Sequence, residues 1–130
     1  MNPKLAEIDI ALTALEPTLS EFGRAHGFNL VRSHEGSFNI PRRWLHRHLG
    51  GIFHEIGLII SIPMPERLER GFFPTIPCSL YITGVDRKTG RHYHHFILDG
   101  YPFERLTDSL PTHLGDALEK LDRCTIDFLS

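Results

Sequence analysis

Apolar residues fall along this chain in three regimes. In the first, Leu5, Ile8, Leu12, Leu15, Leu19 and Phe22 recur at spacings of three and four, which places them on one stripe of an α-helix. Pro17 interrupts the stripe, and a proline inside a helix lacks an N–H and crowds the preceding turn. Because the apolar phase is the same on both sides of Pro17, the pattern predicts one kinked helix, or two nearly collinear ones, against a single surface. Gly27 then offers a residue able to take positive φ, with Phe28 as the hydrophobic contact that closes such a helix end.

From Phe28 to Leu98 the period shortens to two. "FNLVRS" alternates, "PRRWLHRHL" alternates weakly, and "IFHEIGLIISI" sets Ile52, Ile56, Leu58, Ile60 and Ile62 on one side, with His54 among them. "IPCSLYITGV" alternates again, with Cys78, Leu80 and Ile82 on one face. These are strand patterns. "DRKTG" reads as a hairpin connection in which Gly90 takes a left-handed position. Pairing Val85 with Arg91 would set Ile82 opposite His94 and Leu80 opposite Phe96 on the core face, and Tyr81 opposite His95 on the other; a slip of one residue exchanges the faces. Between the third and fourth strands, "PMPERLERGFFPTIP" reads as a crossing loop, with a single helical turn at Glu66 to Arg70 and Phe72 and Phe73 pinned to the core.

In the third regime Leu110, Leu114, Ala117, Leu121, Thr125 and Phe128 form a second helical stripe, on a helix expected to begin near Asp108 to Pro111. The plan is therefore an α+β domain: an N-terminal kinked helix, about five mostly antiparallel strands and a C-terminal helix, with both helices on one face of the sheet. The other face is left for solvent, a partner or a ligand. In the order of its elements, over most of its length but without a shared motif, the chain resembles small bacterial cytosolic modules such as secretion chaperones and toxin-immunity proteins. That resemblance implies a non-enzymatic protein-binding role. Its pI of about 6.5 departs from the markedly acidic secretion chaperones.

Composition narrows the setting. A chain of 130 residues with 41% hydrophobic content suits one domain, 1–130, with a single core. The N-terminal "MNPKLAEIDIALTAL" places acids where a secretion signal carries basic and then unbroken apolar residues, and no stretch is long enough to span a bilayer. Cys78 and Cys124 stand 46 residues apart without a CxxC motif, which predicts reduced thiols in a cytoplasmic protein. Charge is uneven: residues 1–31 carry −2, residues 32–100 carry +3 with seven of the nine histidines, and residues 101–130 carry −3. The overall −2 and the lack of an RNP-type aromatic signature argue against nucleic acid.

Four chemistries compete for the polar residues of the middle. His46 with His48, and His92 with His94, have the i, i+2 spacing that lets two strand residues chelate a divalent metal, provided that the two pairs converge. The spacing resembles the His-x-His of cupin barrels, but the downstream Glu and later His of that pattern are missing. Nucleophilic catalysis has no GxSxG elbow and no cysteine in a reactive setting, and no phosphate-cradling glycine loop occurs; no catalytic residue is assigned. Partner binding is favoured, because Arg, Trp and Tyr are the types enriched at interface hot spots. Arg43, Trp44, Arg47, Tyr81 and Tyr93 are the candidate contact residues, for another protein or for a second copy in a homodimer. The alternative is a histidine-based, metal-dependent enzyme or a small-ligand-binding protein. In that reading His54, buried and hydrogen-bonded, and His94 would line a cavity between sheet and helices.

Overall fold

The computed structural model describes residues 3–35, 40–60 and 77–129, so the expectations for Glu66 to Arg70, Phe72 and Phe73 lie outside the described residues. Helix α1 (Pro3–His26) is followed by β1 (Asn29–Glu35), β2 (Ile40–Leu49), β3 (Ile52–Ile60), β4 (Pro77–Asp86) and β5 (His92–Pro102). A 3₁₀ turn (Phe103–Arg105) leads into α2 (Leu106–Leu129). The five strands form one antiparallel meander in chain order. α1 lies over β1 and β2, α2 lies over β4 and β5, and the helices touch each other. This is the α+β plan expected. No helix among the described residues is long and apolar enough to cross a membrane.

Local chemistry explains the boundaries. α1 runs through Pro17 as one helix and ends at Gly27, whose φ is 79°. Phe28 N donates to Gly23 O at 2.8 Å, the six-to-one bond of a Schellman stop. A Cβ on Gly23 would sit 2.8 Å from Phe28 O, so this close return also needs glycine there. β2 and β3 are joined by Gly50 and Gly51, both at positive φ (59° and 88°), which is the two-residue turn whose twist suits a hairpin.

The core lies between the helices and one sheet face. Leu12, Leu15 and Leu19 of α1 meet Leu45, Ile56 and Leu58, while Leu80 and Ile82 pack with Leu110, Leu114 and Leu121 of α2. α2 begins at Leu106, a few residues before the predicted start, and Pro111 lies inside it. Leu106 is fully buried and extends the apolar stripe one turn back from Leu110, which outweighs the proline on the exposed side.

One corner of the covered face is ionic. Arg43 is only 2% exposed. Its Nε and Nη2 donate to Glu16 Oε2 and Asp9 Oδ1, each at 2.7 Å, while Arg32 Nη2 reaches Glu16 Oε1 at 2.6 Å. Burial pushes the Glu16 carboxyl up, but the hydrogen bonds and charges of Arg32 and Arg43 outweigh it and hold the carboxyl below its ordinary range. This cluster ties α1 to β1 and β2.

The β4–β5 register differs from the expected one by one residue: Ile82 pairs with His95, Thr83 with His94 and Tyr81 with Phe96. The cause is the turn. Asp86 Oδ1 accepts from Lys88 N at 3.0 Å and Oδ2 from Thr89 Oγ1 at 3.0 Å, and Gly90 takes φ 74°. That side-chain clasp closes the loop over four residues, with Asp86 N donating to Arg91 O at 2.9 Å. The slip sends His94 to the face away from the helices and brings Tyr93 and His95 under α2.

Candidate functional site

The two faces of the sheet treat their polar residues differently. On the covered face, Arg47, His54, Tyr93 and Thr125 converge where β2, β3 and β5 meet the C-terminal part of α2. Arg47 Nε donates to His54 Nδ1 at 3.1 Å, and because arginine only donates, the imidazole hydrogen is assigned to Nε2. Nε2 then donates to Thr125 Oγ1 at 2.8 Å. Thr125 donates to Leu121 O at 2.8 Å and accepts from the Tyr93 hydroxyl at 2.6 Å. Arg47 also reaches Asp122 Oδ1 at 2.9 Å and lies over the Phe28 ring at 4.5 Å. Burial, and then the Arg47 charge, push the His54 imidazole down to about 4. His54 is therefore neutral and buried with hydrogen bonds, as its place among isoleucines predicted.

The far face, which neither helix covers, gathers aromatic, imidazole and guanidinium groups. β2 supplies Arg42, Trp44, His46 and His48, and β3 supplies Phe53, Glu55 and Gly57. Rings of His46 and Phe53 stack at 5.8 Å, Trp44 lies 5.4 Å from His46 and 6.4 Å from Phe53, and His48 meets Phe53 edge-on at 5.2 Å. Further along, Tyr81 lies flat across Gly57, where a Cβ would fall 2.0 Å from its ring. Its hydroxyl accepts from Arg42 Nη1 at 3.1 Å, its ring stacks on His94 at 5.0 Å, and His94 meets Phe96 at 5.2 Å. Phe96 remains 51% exposed. The Trp44 indole N–H and His46 Nδ1 are buried without a hydrogen-bond partner among the described residues. Such groups cost free energy when left unsatisfied.

Of the candidate contact residues, Trp44 and Tyr81 lie on this far face. Arg43, Arg47 and Tyr93 lie on the covered one, engaged with Glu16, His54 and Thr125. His46, His48, His92 and His94 all face away from the helices, but β3 and β4 separate the two pairs, a distance of about 14 Å at ordinary strand spacing. No group of three or more His, Cys, Asp or Glu side chains among the described residues is arranged to hold a metal ion. The cavity expected between His54 and His94 does not form, because the register puts those residues on opposite faces. Shallow cavities occur elsewhere among the described residues. One of about 370 Å³ lies between α1 and α2, lined by Phe22, Ala25, His26, Pro111 and Leu114 among others. One of about 290 Å³ is lined by Tyr93, His95, Cys124 and Asp127.

Neither family models, curated proteins nor solved structures give a match to this chain.

Two features escaped sequence reasoning. Arg43 and Arg47 share the phase of Leu45, and that alternation was the available signal that both point toward the core. Nothing local marks Phe53 as a contact residue, because its neighbours Trp44, His46 and His48 come from the adjoining strand.

Proposed function

We propose that this chain is a protein-binding module whose contact surface is the far face of the sheet, centred on Trp44, His46, Phe53, Tyr81 and Phe96. One observation carries the reading: an aromatic cluster on the uncovered face, open at Phe96, that holds two buried, unpartnered polar nitrogens, Trp44 Nε1 and His46 Nδ1. A partner's apolar side chain would cover the rings, and turning of the Trp44 and His46 rings on binding would bring both nitrogens, closed to solvent in the free chain, to the partner's acceptor oxygens. Both cysteines are free thiols, which accords with a cytoplasmic place for such a module. The partner is another protein or a second copy.

The test uses the whole chain as bait in three forms: wild type, Trp44→Ala with Phe53→Ala, and Glu119→Lys, whose change lies on the exposed side of α2. Partners that cross-link to wild type and to the helix variant, but are lost from the far-face variant, support the reading. Equal recovery by all three baits would overturn it. The thermal melt of Trp44→Ala is expected within about 1 kcal/mol of wild type; loss of folding instead would make Trp44 a core residue.

A further inference from the structure

β5 closes the sheet on one side and has no strand beyond it among the described residues. Asp86 N donates to Arg91 O at 2.9 Å, so Asp86 and Arg91 form a hydrogen-bonded pair of the ladder. Pairs alternate in class along an antiparallel ladder. Val85–His92, Thr83–His94 and Tyr81–Phe96 are then pairs of the open class, in which the β5 backbone groups point away from β4. His92, His94 and Phe96 thus present N–H and C=O groups outward from a regular stretch that ends at the register shift beside Phe96.

Such a row templates another strand unless a bulge, a proline or a lysine blunts it. Beyond Phe96 the strand is blunted by two register shifts, by Gly100 at φ 68° and by Pro102. From His92 to Phe96 it carries none of these devices. Unfilled surface flanks the same edge on both sides. Phe96, 51% exposed, lies on the far side, and the cavity of about 290 Å³ lined by Tyr93, His95, Cys124 and Asp127 lies on the helix side.

We propose that two copies of this chain join through these edges, with His94 opposite the partner's His94 on a twofold axis, into one continuous antiparallel sheet. The stretch is self-complementary about His94 and about no other residue with equal use of its outward groups. His92 of each copy falls opposite the partner's Phe96 and covers its exposed ring, while Tyr93 falls opposite the partner's His95. Roughly six backbone hydrogen bonds span the junction. The second imidazole enters the cavity that Asp127 lines, and antiparallel pairing sets the Arg91 end of one copy against the Asp99 end of the other. No Lys, Arg, Asp or Glu lies between His92 and Phe96 to oppose its own copy. The edge shares Phe96 with the far-face cluster but uses none of Trp44, His46 and Phe53, so either contact can fail alone.

Light scattering during size-exclusion chromatography of the full chain should give about twice the 14.9 kDa of one copy. In a Cys124→Ser background, His94→Cys should form a covalent dimer under mild oxidant, because paired Cα atoms across such a ladder stand about 5.5 Å apart. His34→Cys, on the opposite edge of the sheet, should not. Phe96→Lys should weaken the dimer at least about tenfold through two lost cross-strand contacts, with the melt retained. A monomer at high concentration overturns the proposal. So does a dimer that His94→Cys fails to link, or one that Phe96→Lys leaves intact and Trp44→Ala dissolves, which would place the contact on the far face instead.

Discussion

Two tyrosine rings cross two glycines in this sheet, one on each face, and they end in opposite circumstances. Tyr93 lies over Gly84 on the covered face, with ring atoms 2.3 to 2.5 Å from where a Cβ would be. Its hydroxyl meets Thr125 and Leu121 under α2, inside the network that also holds His54. Tyr81 lies over Gly57 on the far face in the same way, and its hydroxyl meets Arg42. The backbone device is one and the same: a strand glycine lets a neighbouring ring lie flat and reach the next element. What differs is the covering element. α2 ties the first arrangement into a structural joint, whereas Tyr81, itself only 5% exposed, lies on the face that neither helix covers, with the unpartnered nitrogens of Trp44 and His46 on the same face. The location of candidate function follows from that difference, since polar groups that are satisfied internally have nothing to offer a partner.

The largest effect should come from breaking the covered crossing. Gly84→Ala forces the Tyr93 ring away from Thr125, and α2 leaves it nowhere to go. Overpacking together with a lost buried hydrogen bond should destabilise the fold by about 2–4 kcal/mol in urea denaturation. In the Tyr93→Leu background the same change should cost much less, because the clash is with the ring. Additive costs would mean that the ring does not depend on this glycine.

The second effect is acid sensitivity from the same network. Folded His54 sits near 4 against an ordinary value near 6.5, so in between the unfolded chain binds the additional proton. Stability is therefore complete above about pH 6.5 and falls as pH drops toward 4. The loss is about 1 kcal/mol by pH 5.5 and about 2–3 kcal/mol by pH 4. The geometry agrees, since a proton on Nδ1 would face the Arg47 N–H that now donates to it. Urea midpoints at pH 7.5 and 5.5 should differ for wild type and coincide for His54→Gln. The carboxyls of Glu16 and Asp86, both held below their ordinary range, titrate lower and leave that interval clean.

These joints were unevenly legible in the sequence. The burial of His54 followed from its phase with Ile52 and Ile56, and the end of α1 followed from Gly27 and Phe28, because each depends on neighbours in the chain. The same local logic reaches Arg43 and Arg47 only through Leu45, and their residue types pull toward an exposed reading. Only Asp9 and Glu16, distant in sequence, make a buried arginine tolerable. The face of His94 turned on one residue of register, which the Asp86 clasp decides and which alternation alone does not fix. Convergence of the histidine pairs depended on strand order, and the meander puts two strands between them.

The smallest expected effect on stability belongs to the far crossing, and it separates the two faces most sharply. Gly57→Ala places a Cβ 2.0 Å from the Tyr81 ring, a clash as severe in static geometry as that at Gly84. Neither α1 nor α2 lies over this face, however, so the ring, though only 5% exposed, is expected to give way outward and lose contacts that include those with Arg42 and His94. The cost should be about 1–2 kcal/mol, below that of Gly84→Ala. The displaced ring should also disturb the far-face surface, so that partners cross-linked by wild type are lost although the melt stays close. If Gly57→Ala instead destabilises as much as Gly84→Ala, the far face is as tightly packed as the covered one. The distinction between a structural and a binding face would then fail.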